Sequence, residues 1–126
     1  MSLRILLLIG LGGFLGSVLR FILQQYTDRL FSTSFPIGIF LVNVLGSLLI
    51  GLIIGIAMHK SFLSDEMQLL LATGFCGGFT TFSAFSFDNL KYLQTSEYGL
   101  LLGYAGGSVI LGVLATFLGI WLVRYF

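Results

Sequence analysis

Apolar residues fill this chain in four long runs, each closed off by a short polar cluster. The runs extend from about Leu3 to Gln24, Ile37 to Met58, Met67 to Leu90 and Gly99 to Val123. Each is close to the about 20 residues that an α-helix needs to cross a hydrocarbon core. None alternates apolar and polar positions, so the pattern predicts helices and not a membrane barrel. The connections Gln25–Pro36, His59–Glu66 and Lys91–Tyr98 hold most of the ionisable residues. Pro36 is placed to open the second helix at its first turn, where a missing N–H costs nothing. Ser64-Asp65-Glu66-Met67 reads as an N-cap followed by acids at the positive end of the third helix. Met1–Arg4 followed by Ile5–Leu19 looks superficially like a signal peptide. No small-residue cleavage site follows it and more apolar runs do, so it is read as a span. Residues 1–126 are thus expected to form a single, all-α integral membrane domain of four transmembrane helices.

Composition strengthens this picture. The chain is 57% hydrophobic and 9% charged, against about 25% charged in soluble domains, so most of its outer surface must face lipid. Its six basic residues are scattered and its net charge is +1, which gives no patch for nucleic acid. The single cysteine, Cys76, excludes an intrachain disulfide, and the lone His59 lacks the companions that zinc requires.

Four spans place both termini on one side, together with Arg4, Lys60 and Arg124. Arg29 and Lys91 fall on the other side, with Arg20 near that end of the first helix. The positive-inside rule therefore gives no decision. Either a weak bias or a partner settles orientation, or the chain inserts both ways and forms an antiparallel homodimer. Gly12/Gly16, Gly51/Gly55 and Gly99/Gly103/Gly107 follow the small-x-x-x-small spacing of close helix contact, within one chain or between two.

Polar groups inside a membrane are expensive and mark functional candidates. Asp28, Asp65, Glu66 and Glu97 lie in connections or at helix ends, and Asp88 lies near the end of the third run. No carboxylate occupies a helix centre, which argues against a small dual-topology, proton-coupled cation or multidrug exporter. Asn43, about two turns into the second run, offers a helix–helix hydrogen bond or a donor to a ligand. The stretch Thr73–Ser86 puts three glycines and a set of hydroxyls mid-span. Gly77-Gly78 weakens helix there, predicting either a glycine-packed kink or a break whose freed carbonyls can hold a cation. Phe82 and Phe85 share a face, either as packing or as ring edges presented to a small anion.

These residues resemble the fluoride channel family, Fluc or CrcB, nearly end to end. The resemblance is carried by Gly12-Gly13-x-x-Gly16 with Arg20, by Gly38 with Asn43 and Gly46, and by Gly74-x-x-Gly77-Gly78-x-Thr80-Thr81-Phe82-Ser83-x-Phe85. It implies a dual-topology antiparallel homodimer with two pores, in the bacterial inner membrane, that lets cytoplasmic fluoride leave passively. It further implies that Asn43, Phe82 and Phe85 contact the anion and that backbone carbonyls of Gly77 and Thr80 hold a structural sodium ion at the dimer interface. Arg20 would make the vestibule electropositive, while Tyr104 and Ser108 would line the pathway. Ala84 stands where the family commonly has threonine, and Phe79 where it often has leucine. No nucleophile, acid–base pair or nucleotide loop suggests an enzyme; the alternatives are the proton-coupled exporter and a non-transporting helical subunit.

Overall fold

The computed structural model describes residues 1–61 and 63–126; Phe62, within the second polar connection, lies outside the described residues. Its elements are α1 (Leu3–Leu30), α2 (Ile37–His59), α3 (Asp65–Gln68), a π-helical segment (Leu69–Cys76), α4 (Gly77–Phe79), α5 (Phe82–Gln94) and α6 (Tyr98–Tyr125). Segments α3 to α5 form one bent span, Asp65–Gln94, and with α1, α2 and α6 give four helices long and apolar enough to cross a membrane. The described residues contain no strand. This is an all-α, four-span architecture in which α2 lies along α6, and α1 lies along the first half of the third span.

Helix ends differ from the sequence expectation for local reasons. α1 continues past Gln24 to Leu30; within this extension the Thr27 hydroxyl is satisfied by the carbonyls of Leu23 and Gln24, both at 2.9 Å, and packs buried beside Gly38. Pro36 sits one position before the first turn as the N-cap, with φ −79° and ψ 72°, and its carbonyl accepts the Phe40 N–H at 3.0 Å. Ser64 caps as expected, accepting the Met67 N–H at 3.3 Å. Between α5 and α6 the chain reverses through Ser96 in the left-handed region, φ 57°, while the Glu97 N–H closes onto the Tyr92 carbonyl at 2.9 Å.

The glycine pairs divide by role. A Cβ on Gly12 would lie 2.8 Å from the Phe75 nitrogen, and one on Gly16 2.8 Å from the Phe79 nitrogen, so α1 meets the third span backbone to backbone. Gly51 meets the Thr116 backbone of α6 in the same manner and Gly55 meets the Ile120 Cα and the Val123 side chain, whereas Gly99 and Gly103 face open space. Around Tyr104, which is fully buried, Ile39 and Tyr92 form a small core, and the Tyr92 hydroxyl donates to the Ser34 carbonyl. That contact ties the α1–α2 connection to the end of α5.

Candidate functional site

The third span is interrupted at Thr80 and Thr81, two residues beyond the Gly77-Gly78 pair. Both are extended, with φ/ψ of −85°/157° and −147°/116°. Gly77 remains helical, with φ −63° and ψ −37°. Gly78 is required for approach and not for bending: a Cβ there would sit 2.9 Å from the Gly13 Cα. The break itself is shaped by α2. Gly46 leaves room for the Thr80 side chain, since a Cβ on it would run into Thr80 Cγ2 and lie 3.2 Å from Phe79 Cδ1. Three residues earlier, hence on the same helix face, Asn43 grips Thr81. Its Nδ2 donates to the Thr81 carbonyl at 3.1 Å, and its Oδ1 accepts the Thr81 N–H at 2.8 Å.

Following each displaced backbone group shows what the break exposes. In an unbroken helix the N–H of residue i+4 bonds the carbonyl of residue i. The Thr81 N–H has gone to Asn43, so the Gly77 carbonyl loses that partner. The Ala84 N–H has gone to Thr81 Oγ1 at 3.2 Å, where it caps α5, so the Thr80 carbonyl loses its partner too. The Gly78 carbonyl instead accepts Arg20 Nε at 3.1 Å and Ser17 Oγ at 3.5 Å from α1. Oxygen donors on Gly77 and Thr80 suit a hard cation such as sodium.

Beside the break opens a cavity of about 440 Å³, and its wall brings together Asn43, Gly77, Thr80, Phe82, Phe85 and Ser108. Among the described residues no carboxylate lines it. The Phe82 and Phe85 ring centroids are 5.8 Å apart, with planes tilted by 39°. Phe82 is 79% exposed at the open side, although it lies mid-span. Tyr104 and Arg20 are not on this wall. The Tyr104 ring backs Phe85 at 5.1 Å and its hydroxyl donates to Asp88 Oδ2 at 3.4 Å. Arg20 supports the break from the α1 side.

The hydroxyls nearby are not equivalent. Ser47 donates to the Asn43 carbonyl at 2.7 Å, Thr80 to the Cys76 carbonyl at 2.8 Å, and Thr116 to the carbonyls of Ser47 and Gly112 at 3.0 and 3.1 Å. Their protons are therefore committed within the chain. Ser108 Oγ is buried without a partner. With one Asn43 Nδ2 hydrogen also free, since the amide carries two, the cavity offers an anion an amide donor and aromatic ring edges, with the uncommitted Ser108 hydroxyl seated in its wall. Thr81 was not singled out from the sequence, although a threonine just ahead of Phe82-Ser83-Ala84-Phe85 carries the ordinary signal of an N-cap.

A second cavity, of about 840 Å³, opens where the α1–α2 connection meets the end of α5, and Asp28, Asp88, Lys91 and Glu97 line it. Asp88 pairs with Lys91 at 3.2 Å.

The family described as CrcB-like protein, camphor resistance (CrcB), matches residues 7–120. A protein of Gloeothece citriformis named fluoride-specific ion channel FluC is 47% identical over 119 residues, covering 94% of this chain and 96% of its own length. Proteins of the same name from Phocaeicola vulgatus and Leptospira interrogans are 45% and 41% identical, over 93% and 96% of this chain and 96% and 95% of their own lengths.

Proposed function

The chain belongs to the CrcB family, and from that premise we propose that it is a fluoride-selective channel of a multi-pass membrane protein. It acts passively and is not an enzyme; in a bacterial inner membrane it would lower cytoplasmic fluoride. The observation that carries the reading is the carboxylate-free cavity at the break, where Asn43, Ser108 and the Phe82/Phe85 rings converge. A dehydrating fluoride ion needs hydrogen-bond donors and positive ring edges to replace its water, because an unpaired buried charge is prohibitively costly. Carboxylates would repel it, and their absence from the wall leaves no acid of the kind that proton coupling uses.

The functional unit in this reading is an antiparallel homodimer. Its support is the even distribution of basic residues and the open side of the cavity, where Phe82 stands exposed within a span. A second copy would close that side. Gly77 and Thr80 would hold a sodium ion through their carbonyls, and its positive charge would favour anion entry. Arg20 adds fixed positive charge behind the break, and Tyr104 holds Phe85 from the rear.

The test uses purified protein in liposomes loaded with potassium fluoride, with an electrode following external fluoride after a potassium ionophore is added. Fluoride release without chloride release is expected. No release from folded protein would sink the proposal, and drug-driven proton flux would favour an exporter.

A further inference from the structure

Besides facing the cavity, Asn43 has a second task that its geometry assigns. Its single side-chain amide holds both the N–H and the C=O of Thr81. In a helix those two groups point in opposite directions along the axis, so one amide cannot reach both. In an extended residue they point to the same side, as in the paired residues of an antiparallel ladder. Thr81, at φ −147° and ψ 116°, is in that extended region. The double hydrogen bond therefore selects one backbone conformation against the other.

We propose that Asn43 is a positioning residue that keeps the third span open, and that the Gly77 and Thr80 carbonyls are available to a cation because of it. Two displacements depend on the extended Thr81. Its N–H bonds Asn43 Oδ1 at 2.8 Å in place of the Gly77 carbonyl. Its hydroxyl, swung into the N-cap position, takes the Ala84 N–H at 3.2 Å in place of the Thr80 carbonyl. If Thr81 became helical, both N–H groups would return to those carbonyls. α5 would then rotate relative to α4, carrying Phe82 and Phe85 off the cavity wall. Neither Arg20 nor Ser17 can substitute, because they hold the Gly78 carbonyl and touch neither Thr81 group. One amide thus links the cation carbonyls to the orientation of the aromatic pair.

The cation arm rests on the sodium reading given above; the conformational arm does not, and the experiment separates them. Carbon-13 carbonyl and side-chain labelled threonine with nitrogen-15 phenylalanine selects two residue pairs, Thr81-Phe82 and Thr116-Phe117. Thr116 lies inside α6 and serves as the helical reference. Solid-state spectra of the protein in bilayers are expected to show one extended and one helical threonine. With Asn43→Ala both should be helical. Asn43→Asp, which keeps an acceptor for the Thr81 N–H but offers no hydrogen to the Thr81 carbonyl, should lose the extended signal as well.

In parallel, thermal protection is titrated with sodium chloride against N-methylglucamine chloride. Asn43→Ala should raise the sodium midpoint at least about tenfold, or remove the response. An extended Thr81 in Asn43→Ala would overturn the inference. A wild-type protein with extended Thr81 and no sodium response would instead remove the sodium reading and leave the clamp standing. If Asn43→Ala does not assemble, Asn43→Ser is read the same way, since its hydroxyl is too short to bridge both groups.

Discussion

Replacing Ser108 with alanine separates pore chemistry from packing, because the hydroxyl removed is buried and has no partner among the described residues. For a hydroxyl that serves the fold, deletion costs about 0.5–1.5 kcal/mol of stability. Ser108 has no such bond to lose, so Ser108→Ala should leave stability unchanged or slightly raised. Its effect should fall on the passing anion. A hydrogen bond to a charged group contributes about 1.5–3 kcal/mol, and at about 1.4 kcal/mol per decade its loss at the barrier slows fluoride efflux roughly ten- to hundred-fold. Thr116→Val is the control, since that hydroxyl is committed to the Ser47 and Gly112 carbonyls at 3.0 and 3.1 Å. It should lower stability by about 1 kcal/mol with little change in flux. The assay pairs liposome efflux by fluoride electrode with denaturant titration in detergent. If Ser108→Ala loses stability while efflux is unchanged, the hydroxyl is structural and the donor set assigned to the cavity is wrong.

The other expectations are simpler. Gly46→Ala should be damaging, because the Thr80 side chain that its methyl meets is fixed by its own bond to Cys76 at 2.8 Å; a loss of about 1–3 kcal/mol, seen by thermal unfolding, should accompany reduced flux. Phe82→Ile should slow efflux, yet change the stability of the individual chain by no more than about 0.5 kcal/mol, because the ring is 79% exposed. Ser96→Gly should stabilise by up to about 1 kcal/mol, since Ser96 holds φ 57° in the α5–α6 reversal; a lower melting temperature would refute that.

Much of this was legible from the run pattern. Four spans followed from run length and apolarity, and the Ser64 cap from local chemistry that needs no tertiary context. The break was expected at Gly77-Gly78, where helix propensity is lowest, but it lies at Thr80-Thr81. The reason is tertiary: the glycines are used for approach to α1, while α2 supplies the grip on Thr81 and the space for Thr80. No single-segment reading could assign that. Nor could spacing distinguish the free hydroxyl of Ser108 from the committed ones of Ser47 and Thr116, because that depends on which carbonyl lies within reach. The π-helical turn over Leu69–Cys76 was likewise invisible, since nothing in its run of residues distinguishes a wider turn from an α-helix, and Gly74 is seated against Ile9, Gly12 and Gly13 of another helix.

The grip of Asn43 on Thr81 also bears on how the protein is made. An isolated span entering lipid must satisfy its backbone groups internally, so the third span has to insert as an uninterrupted helix, with Thr81 bonded to Gly77. Only when α2 docks beside it can the amide of Asn43 take over that N–H and carbonyl. The interruption is then a late product of biogenesis, acquired after insertion and reversible wherever α2 is absent. A newly inserted chain would carry four sealed helices, and its ion pathway would come into being only as those helices find one another.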